Sequence, residues 1–274
     1  MGKRLILYLF SIFFFVNLYA NDSTFIAKKI SSIEGEYKNF EVDNMGNIYL
    51  INSFNQIKKI NSKLDSVAVF NDTKQFGNIT LLDVSNPLKI VVYYGEFNTI
   101  LILDRFLNVR SKIDLRKLNI FKVSVIALSF DNNIWLFDEV ENNFKKLDEF
   151  GNVLMTSSDF RLILNTSFVP ESIIDNNGKL YLYNSKFGLL SFDYYGGLQH
   201  NYAIKYLNNV QFSNDRFIGF INDDLIDYNF SLITSNAYHL KNIELGSQKF
   251  IFKNGFLYTL NNKNLNIFNI EKLK

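Results

Sequence analysis

The chain has 274 residues, of which 47% are hydrophobic and 20% charged, and it contains 28 Phe, 15 Tyr and no Cys. The lack of Cys excludes disulfides, thiolate metal sites, a Cys nucleophile and a lipid attached through an N-terminal Cys. The formal net charge of +2 comes from Lys3 and Arg4. The rest of the chain is neutral, so neither nucleic acid nor an anionic membrane is an expected partner.

The first 20 residues have the pattern of a signal peptide. Lys3 and Arg4 precede an apolar run from Leu5 to Phe15, and Leu18-Tyr19-Ala20 forms an imperfect cleavage site. The sequence therefore predicts cleavage before Asn21, a mature domain over 21–274 and a periplasmic or secreted location. The leader and the composition are typical of a bacterial protein. The alternative is a retained N-terminal membrane anchor. No later stretch is long and apolar enough to span a bilayer.

The next segments recur along the chain. Phe40 to Asp43 is a predicted strand, 44–47 a turn, Ile48 to Ile51 a second strand and Ile57 to Ile60 a third, followed by a fourth at Ser66 to Phe70. The pattern returns about every forty residues. The first residues of the six second strands are predicted to be Ile48, Ile90, Ile134, Leu180, Phe217 and Phe256.

These six copies predict an all-β fold, a six-bladed β-propeller of four-stranded antiparallel blades. The last copy has only three strands, ending at Leu265 to Ile270, while an unassigned apolar segment lies at Thr24 to Ile30. We therefore expect this N-terminal strand to complete the last blade and close the ring, which hides exposed strand edges. The alternatives are an open β-solenoid and a β-sandwich, and neither explains both the six copies and the shared last blade.

One phrase resembles a known family. The sequence from Val42 to Leu50, Val-Asp-Asn-Met-Gly-Asn-Ile-Tyr-Leu, is similar to the core of NHL-repeat six-bladed propellers, and Ile174 to Leu182 is a second match. The remaining copies match less well. The resemblance implies the propeller fold. It implies no activity, because propellers serve many functions.

Catalytic signatures are missing from the sequence. His200 and His239 are the only histidines and have no metal-ligand spacing, no Gly-x-Ser-x-Gly elbow occurs, and no phosphate-binding glycine loop is present. The sequence therefore predicts no catalytic residue and no cofactor.

Carboxylates are the remaining candidates for chemistry, because lactonase-like and lyase-like propellers hold a metal over the channel with acidic side chains. Asp43, Asp131 and Asp175 fall in the recurrent turn and are expected to bond their own backbone. The weak metal candidates are Asp138, Glu139, Asp223 and Asp224, in loops between second and third strands.

Those same loops share one face with the links between blades. The predicted binding residues there are Phe54, Asn55, Phe97, Asn98, Lys186 and Phe187. Exposed rings on one rim fit a partner-binding patch. The alternative is that each ring packs between adjacent blades.

Two functions are consistent with these patterns. The first is a non-enzymatic scaffold that binds a protein or glycan of the cell envelope through the loop rim. The second is a metal-dependent hydrolase or lyase, similar to the lactonases, that acts on a small molecule at the channel mouth.

Overall fold

The computed structural model describes residues 23–71, 73–213, 215–222, 224–243, 249–261 and 264–272. The predicted signal peptide at 1–20 and the candidate Asp223 lie outside these residues. Within them the regular secondary structure is almost entirely β-strand.

The first strand, β1 (Ser23–Glu34), is followed by four antiparallel sheets in which sequential strands are neighbours. Sheet 1 contains β2 (Tyr37–Val42), β3 (Ile48–Asn52), β4 (Ile57–Ile60) and β5 (Ser66–Phe70). After helix α1 (Thr73–Phe76), sheet 2 contains β6 (Leu81–Asn86), β7 (Lys89–Tyr94), β8 (Thr99–Leu103) and β9 (Val109–Asp114). Two 3₁₀ turns lie at Gly95–Phe97 and Leu115–Leu118.

Sheets 3 and 4 repeat the same order. Sheet 3 contains β10 (Val123–Leu128), β11 (Ile134–Asp138), β12 (Asn143–Leu147) and β13 (Val153–Thr156). Helix α2 (Phe160–Leu164) leads to sheet 4, which contains β14 (Ser172–Asn176), β15 (Lys179–Asn184), β16 (Gly188–Phe192) and β17 (Leu198–Tyr202).

The remaining strands join β1 in one eight-stranded sheet. These strands are β18 (Asn208–Ser213), β19 (Arg216–Ile221), β20 (Asp224–Asn229), β21 (Thr234–Lys241), β22 (Lys249–Lys253), β23 (Phe256–Leu260) and β24 (Asn264–Lys272). Their order is β18-β19-β20-β21-β1-β24-β23-β22. Strand β1 pairs antiparallel with β24, with Lys28 opposite Asn269, and parallel with β21. The N-terminal segment thus lies beside the last strand, and it is longer than the sequence pattern indicated.

The second strand of each repeat is hydrophobic on both faces because each sheet packs against two neighbours. In β7, Ile90, Val92 and Tyr94 pack against sheet 1, while Val91 and Tyr93 pack against sheet 3. Six apolar clusters of this kind separate successive groups of strands, and the last one joins β22–β24 to sheet 1. The fold therefore has a core distributed between sheets.

The first strand of each repeat faces the centre. Strands β2, β6, β10, β14, β18 and β22 contact one another in that cyclic order, and β22 returns to contact β2. Hydrogen bonds also link the ends of these strands, as from Asn44 Nδ2 to Ser85 O and from Asn254 Nδ2 to Asn44 O. The turns after the first strands therefore lie on one side, which we call the turn face. The opposite side carries the loops between second and third strands and is called the loop face.

Candidate binding site on the loop face

The predicted rings Phe54 and Phe97 project from two neighbouring hairpins. Asn52 Oδ1 accepts hydrogen bonds from the backbone N–H of Phe54 and of Gln56, which closes the hairpin between β3 and β4 without any help from the ring. Phe97 ends the 3₁₀ turn between β7 and β8. Phe54 is 74% exposed and Phe97 43% exposed.

These hairpins are connected by side-chain hydrogen bonds. Asn55 Nδ2 donates to Asn78 Oδ1 at 2.6 Å, and Asn78 Nδ2 donates to Glu96 Oε1 at 2.6 Å. Asn78 lies in the link between sheets 1 and 2, so the chain of bonds holds both hairpins against that link. The predicted residue Asn55 thus positions the loop that carries Phe54.

Asn98 connects sheet 2 to the next link. Its φ of 47° is in the left-handed region, which Asn tolerates better than most residues. Its Oδ1 accepts a hydrogen bond from Tyr93 Oη at 2.8 Å, and its Nδ2 donates to Phe121 O at 2.5 Å. Because Asn98 is buried, its side chain supports the loop and does not face a partner.

A third ring, which the sequence analysis missed, joins this group. Phe121 is 56% exposed in the link between β9 and β10. Its own backbone carbonyl accepts the hydrogen bond from Asn98 Nδ2. Phe121 lies in a link that has no repeat pattern, so nothing in the sequence marked it as a binding residue. We call Phe54, Phe97 and Phe121 the rim patch.

Phe187 does not belong to the rim patch. Its ring lies edge-on to Phe168 at a centroid distance of 5.5 Å and packs against the core between sheets 3 and 4. It follows the alternative in which the ring tucks between neighbouring sheets. Lys186, beside it, is exposed.

The carboxylates weighed as metal ligands are occupied by cationic side chains. Lys145 Nζ lies 3.2 Å from Asp138 Oδ2, 2.5 Å from Glu141 Oε2 and 2.6 Å from Asn143 Oδ1. The Lys145 ammonium group therefore occupies the position that a metal ion would need. The hydrogen bond from Lys145 lowers the pKa of Glu141.

The other candidates are also paired. Glu139 binds Lys122 at 2.7 Å, and Asp224 binds His239 Nδ1 at 2.8 Å. His200 stacks on Tyr202. In the part of the chain that the structure describes, no three His, Asp or Glu residues come together as metal ligands.

The turn carboxylates differ from one another. Asp43 bonds its own turn as predicted, accepting from the backbone N–H of Met45 and Asn47 at 2.9 Å. Asp131 instead pairs with Lys146 at 2.5 Å. Asp175 accepts from Tyr194 Oη at 2.6 Å and from Trp135 Nε1 at 2.9 Å, so the turn-making prediction is wrong for Asp131 and Asp175.

A channel of about 690 Å³ lies between the inner strands. Its charged side includes Glu41, Lys249 and Lys253, with Lys249 Nζ 2.5 Å from Glu41 Oε1. Burial raises the pKa of Glu41, and the Lys249 ammonium opposes the rise. Burial lowers the pKa of Lys253, against the attraction of Asp83, Asp43 and Glu41. The charges of Glu41 and Lys249 therefore satisfy each other on this side of the channel.

Comparison with known proteins identifies the fold. No family model and no curated protein matches the chain. Solved structures do match it. A streptogramin B lyase structure aligns with a TM-score of 0.61 at 12% identity, covering 91% of this chain and 98% of that one.

Two WD40-type structures align as well. The Neurospora crassa Pan2 WD40 domain gives a TM-score of 0.65 at 7% identity over 92% of this chain and 97% of that one. The Myceliophteria thermophila Cps50 (Swd1) β-propeller domain aligns with a TM-score of 0.59 at 9% identity. The alignment covers 89% of this chain and 100% of that one. At identities this low, structural similarity shows the fold and nothing more. The chain has a β-propeller fold.

Proposed function

We propose that this chain is an exported, non-enzymatic β-propeller that binds a protein or glycan of the cell envelope through the rim patch. The observation that carries the proposal is the exposure of Phe54, Phe97 and Phe121 on three successive hairpins and links of the loop face. Solvent-exposed rings held by a rigid scaffold are typical of interaction sites.

The proposal includes six blades in one domain over 21–274. The eight-stranded sheet divides into β18–β21 and β22–β24 with β1, and each half has the antiparallel order of the other sheets. The cyclic contacts of the six inner strands support this count. In this arrangement the parallel pairing of β1 and β21 joins two neighbouring blades at their outer edges.

The hydrogen bonds under the rim patch support a binding role. Asn55, Asn78 and Asn98 fix the backbone that carries the rings, so little ordering is needed when a partner binds. Aromatic side chains at such positions contribute much of the free energy at protein interfaces, and they offer flat apolar faces to sugars.

Export rests on the leader pattern of residues 1–20, with its basic start and apolar run. Among the described residues, no helix has the length and apolarity needed to cross a bilayer. We place the protein in the periplasm or outside the cell, with the rim patch available to an envelope component.

The test is affinity purification from native envelope with three forms of the chain. We expect a partner to be retained by the unmodified protein and lost with Phe54→Ser/Phe97→Ser. The matched control, Phe150→Ser, changes an exposed ring on the turn face and should retain it. Equal recovery with all three forms would contradict the proposal.

A second candidate function is small-molecule chemistry in the channel by a metal-dependent hydrolase or lyase. The carboxylates Glu41, Asp83 and Glu171, which line the channel, favour it. Calorimetric titration with Ca²⁺ and Zn²⁺ distinguishes the two functions. Stoichiometric binding that disappears with Glu41→Gln would support the enzyme, and no binding heat would support the scaffold.

A further inference from the structure

The channel between the inner strands contains two lysines of one strand, and they differ in their partners. Lys249 and Lys253 lie four residues apart in β22, so their side chains project from the same side of the strand, and both line the channel. Lys249 Nζ lies 2.5 Å from Glu41 Oε1 and 2.9 Å from Asn39 Oδ1. Within the described part of the chain, Lys253 Nζ has no hydrogen-bond partner and no carboxylate in contact with it.

Other buried lysines are held by hydrogen bonds. Burial lowers the pKa of Lys59 and of Lys89. Lys59 Nζ donates to Arg105 O at 2.9 Å and Lys89 Nζ donates to Asn132 O at 2.6 Å, so each ties its sheet to the next one. Neither residue lines the channel. Lys253 makes no such bond, so its position has no comparable structural role.

Lys253 lies where a small molecule can reach it. It is the last residue of β22, so it lies at the end of the channel nearest the turn face, and it is only partly buried. The channel volume of about 690 Å³ is in the range of pockets that bind small molecules. A molecule that enters from the turn face therefore meets an amine without a partner.

The surroundings of Lys253 favour the neutral form of its amine. Burial lowers the pKa of Lys253, and this effect is larger than the opposing attraction of Asp83, Asp43 and Glu41 for the ammonium. A neutral lysine amine is a nucleophile, and desolvated lysines condense with carbonyl groups to form Schiff bases. The chemistry that suits this site is therefore addition to a carbonyl carbon.

The charges of the channel determine which carbonyl compounds fit. Four carboxylates line it, against two ammonium groups. The carboxylates are those of Glu41, Asp83, Glu171 and Asp175, and the ammonium groups are those of Lys249 and Lys253. An anionic compound such as a 2-oxo acid would be repelled by this excess of negative charge. A neutral aldehyde or ketone would not be.

We propose that Lys253 is a covalent binding site, which captures a neutral aldehyde or ketone in the channel as an imine. Neutral Nζ adds to the carbonyl carbon, and one N–H proton moves to the carbonyl oxygen, which becomes a hydroxyl group. That hydroxyl leaves with the second N–H proton as water, and the electron pair of the broken N–H bond completes the C=N bond. The reaction is reversible and needs no oxidant or reductant. It does not depend on what the rim patch binds.

The test is reductive alkylation of the chain from Asn21 onward, which retains every described strand. Glycolaldehyde is the neutral probe, cyanoborohydride reduces the imine at neutral pH, and peptide mapping by mass spectrometry gives the rate at each lysine. We expect Lys253 to be alkylated at least about tenfold faster than Lys249, since the neutral fraction of an amine rises about tenfold when its pKa falls by one. Glyoxylate, an anionic aldehyde of similar size, should show a smaller preference for Lys253.

Two variants separate the amine from its charge. Lys253→Arg keeps the positive charge but cannot form an imine, so the fast phase of alkylation should disappear. The matched control Lys179→Arg changes an exposed lysine on the turn face outside the channel, and the fast phase should remain. The comparison of Lys253 with Lys249 in the unmodified protein does not require any variant to fold.

Three outcomes would overturn the proposal. The first is equal alkylation rates at Lys253 and Lys249 in the unmodified protein. The second is a fast phase that remains in Lys253→Arg. The third is the same preference for Lys253 with glyoxylate as with glycolaldehyde, which would show that the channel does not select a neutral compound.

Discussion

Asp175 accepts a hydrogen bond from Trp135 Nε1 at 2.9 Å, across the boundary between sheets 4 and 3. The same carboxylate accepts from Tyr194 Oη at 2.6 Å. Trp135 is fully buried between the sheets, so its N–H has this carboxylate as its partner within the described structure. One side chain from the first strand of a repeat therefore joins two neighbouring sheets.

Asp175→Ala should lower the free energy of unfolding by about 2 to 4 kcal/mol. Two donors, Trp135 Nε1 and Tyr194 Oη, lose their partner, and each buried donor left without one costs about 1 to 3 kcal/mol. Urea unfolding followed by far-UV circular dichroism measures the loss. The control Asp215→Ala removes an exposed carboxylate that accepts a hydrogen bond from Asn177 and should cost under about 1 kcal/mol. If both variants lost the same free energy of unfolding, the hydrogen bonds of Asp175 would contribute no more to stability than an exposed hydrogen bond does.

Asn98 provides a second test, because backbone and side-chain effects can be separated there. Asn98→Gly keeps the left-handed backbone but removes both side-chain bonds, and should cost about 1 to 2 kcal/mol. Asn98→Ala adds backbone strain of about 1 kcal/mol more. Thermal unfolding should therefore rank the midpoints as native, Gly, then Ala. An Ala variant as stable as the Gly variant would contradict the assigned φ.

The buried pair of Asp138 and Lys145 predicts a strongly non-additive result. Lys145→Met leaves the Asp138 carboxylate buried without its counter-ion and should cost about 3 to 5 kcal/mol. The double variant Asp138→Asn/Lys145→Met should recover much of that loss. A double-mutant cycle by urea unfolding measures the coupling, and strictly additive effects would contradict it.

Tyr93 predicts how stability changes at high pH. Burial raises the pKa of its hydroxyl to about 12, from an ordinary value of 10. Since the folded pKa lies above the unfolded one, the stabilisation is complete below pH 10 and is lost as the pH rises toward 12. Tyr93→Phe should flatten the fall in stability between pH 10 and 12, and absorbance titration of phenolate should lose a late-titrating group. An unchanged pH profile would contradict the buried position of this hydroxyl.

The sequence predicts the sheet elements well where the hydrophobic pattern is dense. Ile48, Ile134 and Phe256 begin second strands as predicted, and Trp135 lies in the core. The other second strands begin one residue earlier than predicted. The pattern is strong there because both faces of these strands are buried.

Side-chain partners could not be predicted in the same way. Asp175 lies five residues before Leu180, as Asp43 lies five residues before Ile48, but the two hairpins differ in length. Asp175 is inside β14 and opposite Leu180, whereas Asp43 follows β2, in which Val42 is opposite Ile48. The Asp175 side chain accepts hydrogen bonds from Trp135 and Tyr194 and not from its own turn. Phe121 joins the rim patch through the Asn98 side chain, 23 residues away in sequence. Such contacts depend on how successive sheets are placed, which periodicity alone does not specify.

The N-terminal strand β1 closes the last sheet by pairing with β24, and an engineered disulfide tests this pairing most directly because the chain has no native Cys. Lys28 and Asn269 lie directly opposite each other in antiparallel strands, a separation that a disulfide can bridge. We expect Lys28→Cys/Asn269→Cys to form an intramolecular disulfide and unfold at a higher temperature. The control Lys28→Cys/Asn264→Cys, with Asn264 opposite Glu34, should stay reduced. No disulfide in the first pair, or equal crosslinking in both, would contradict closure.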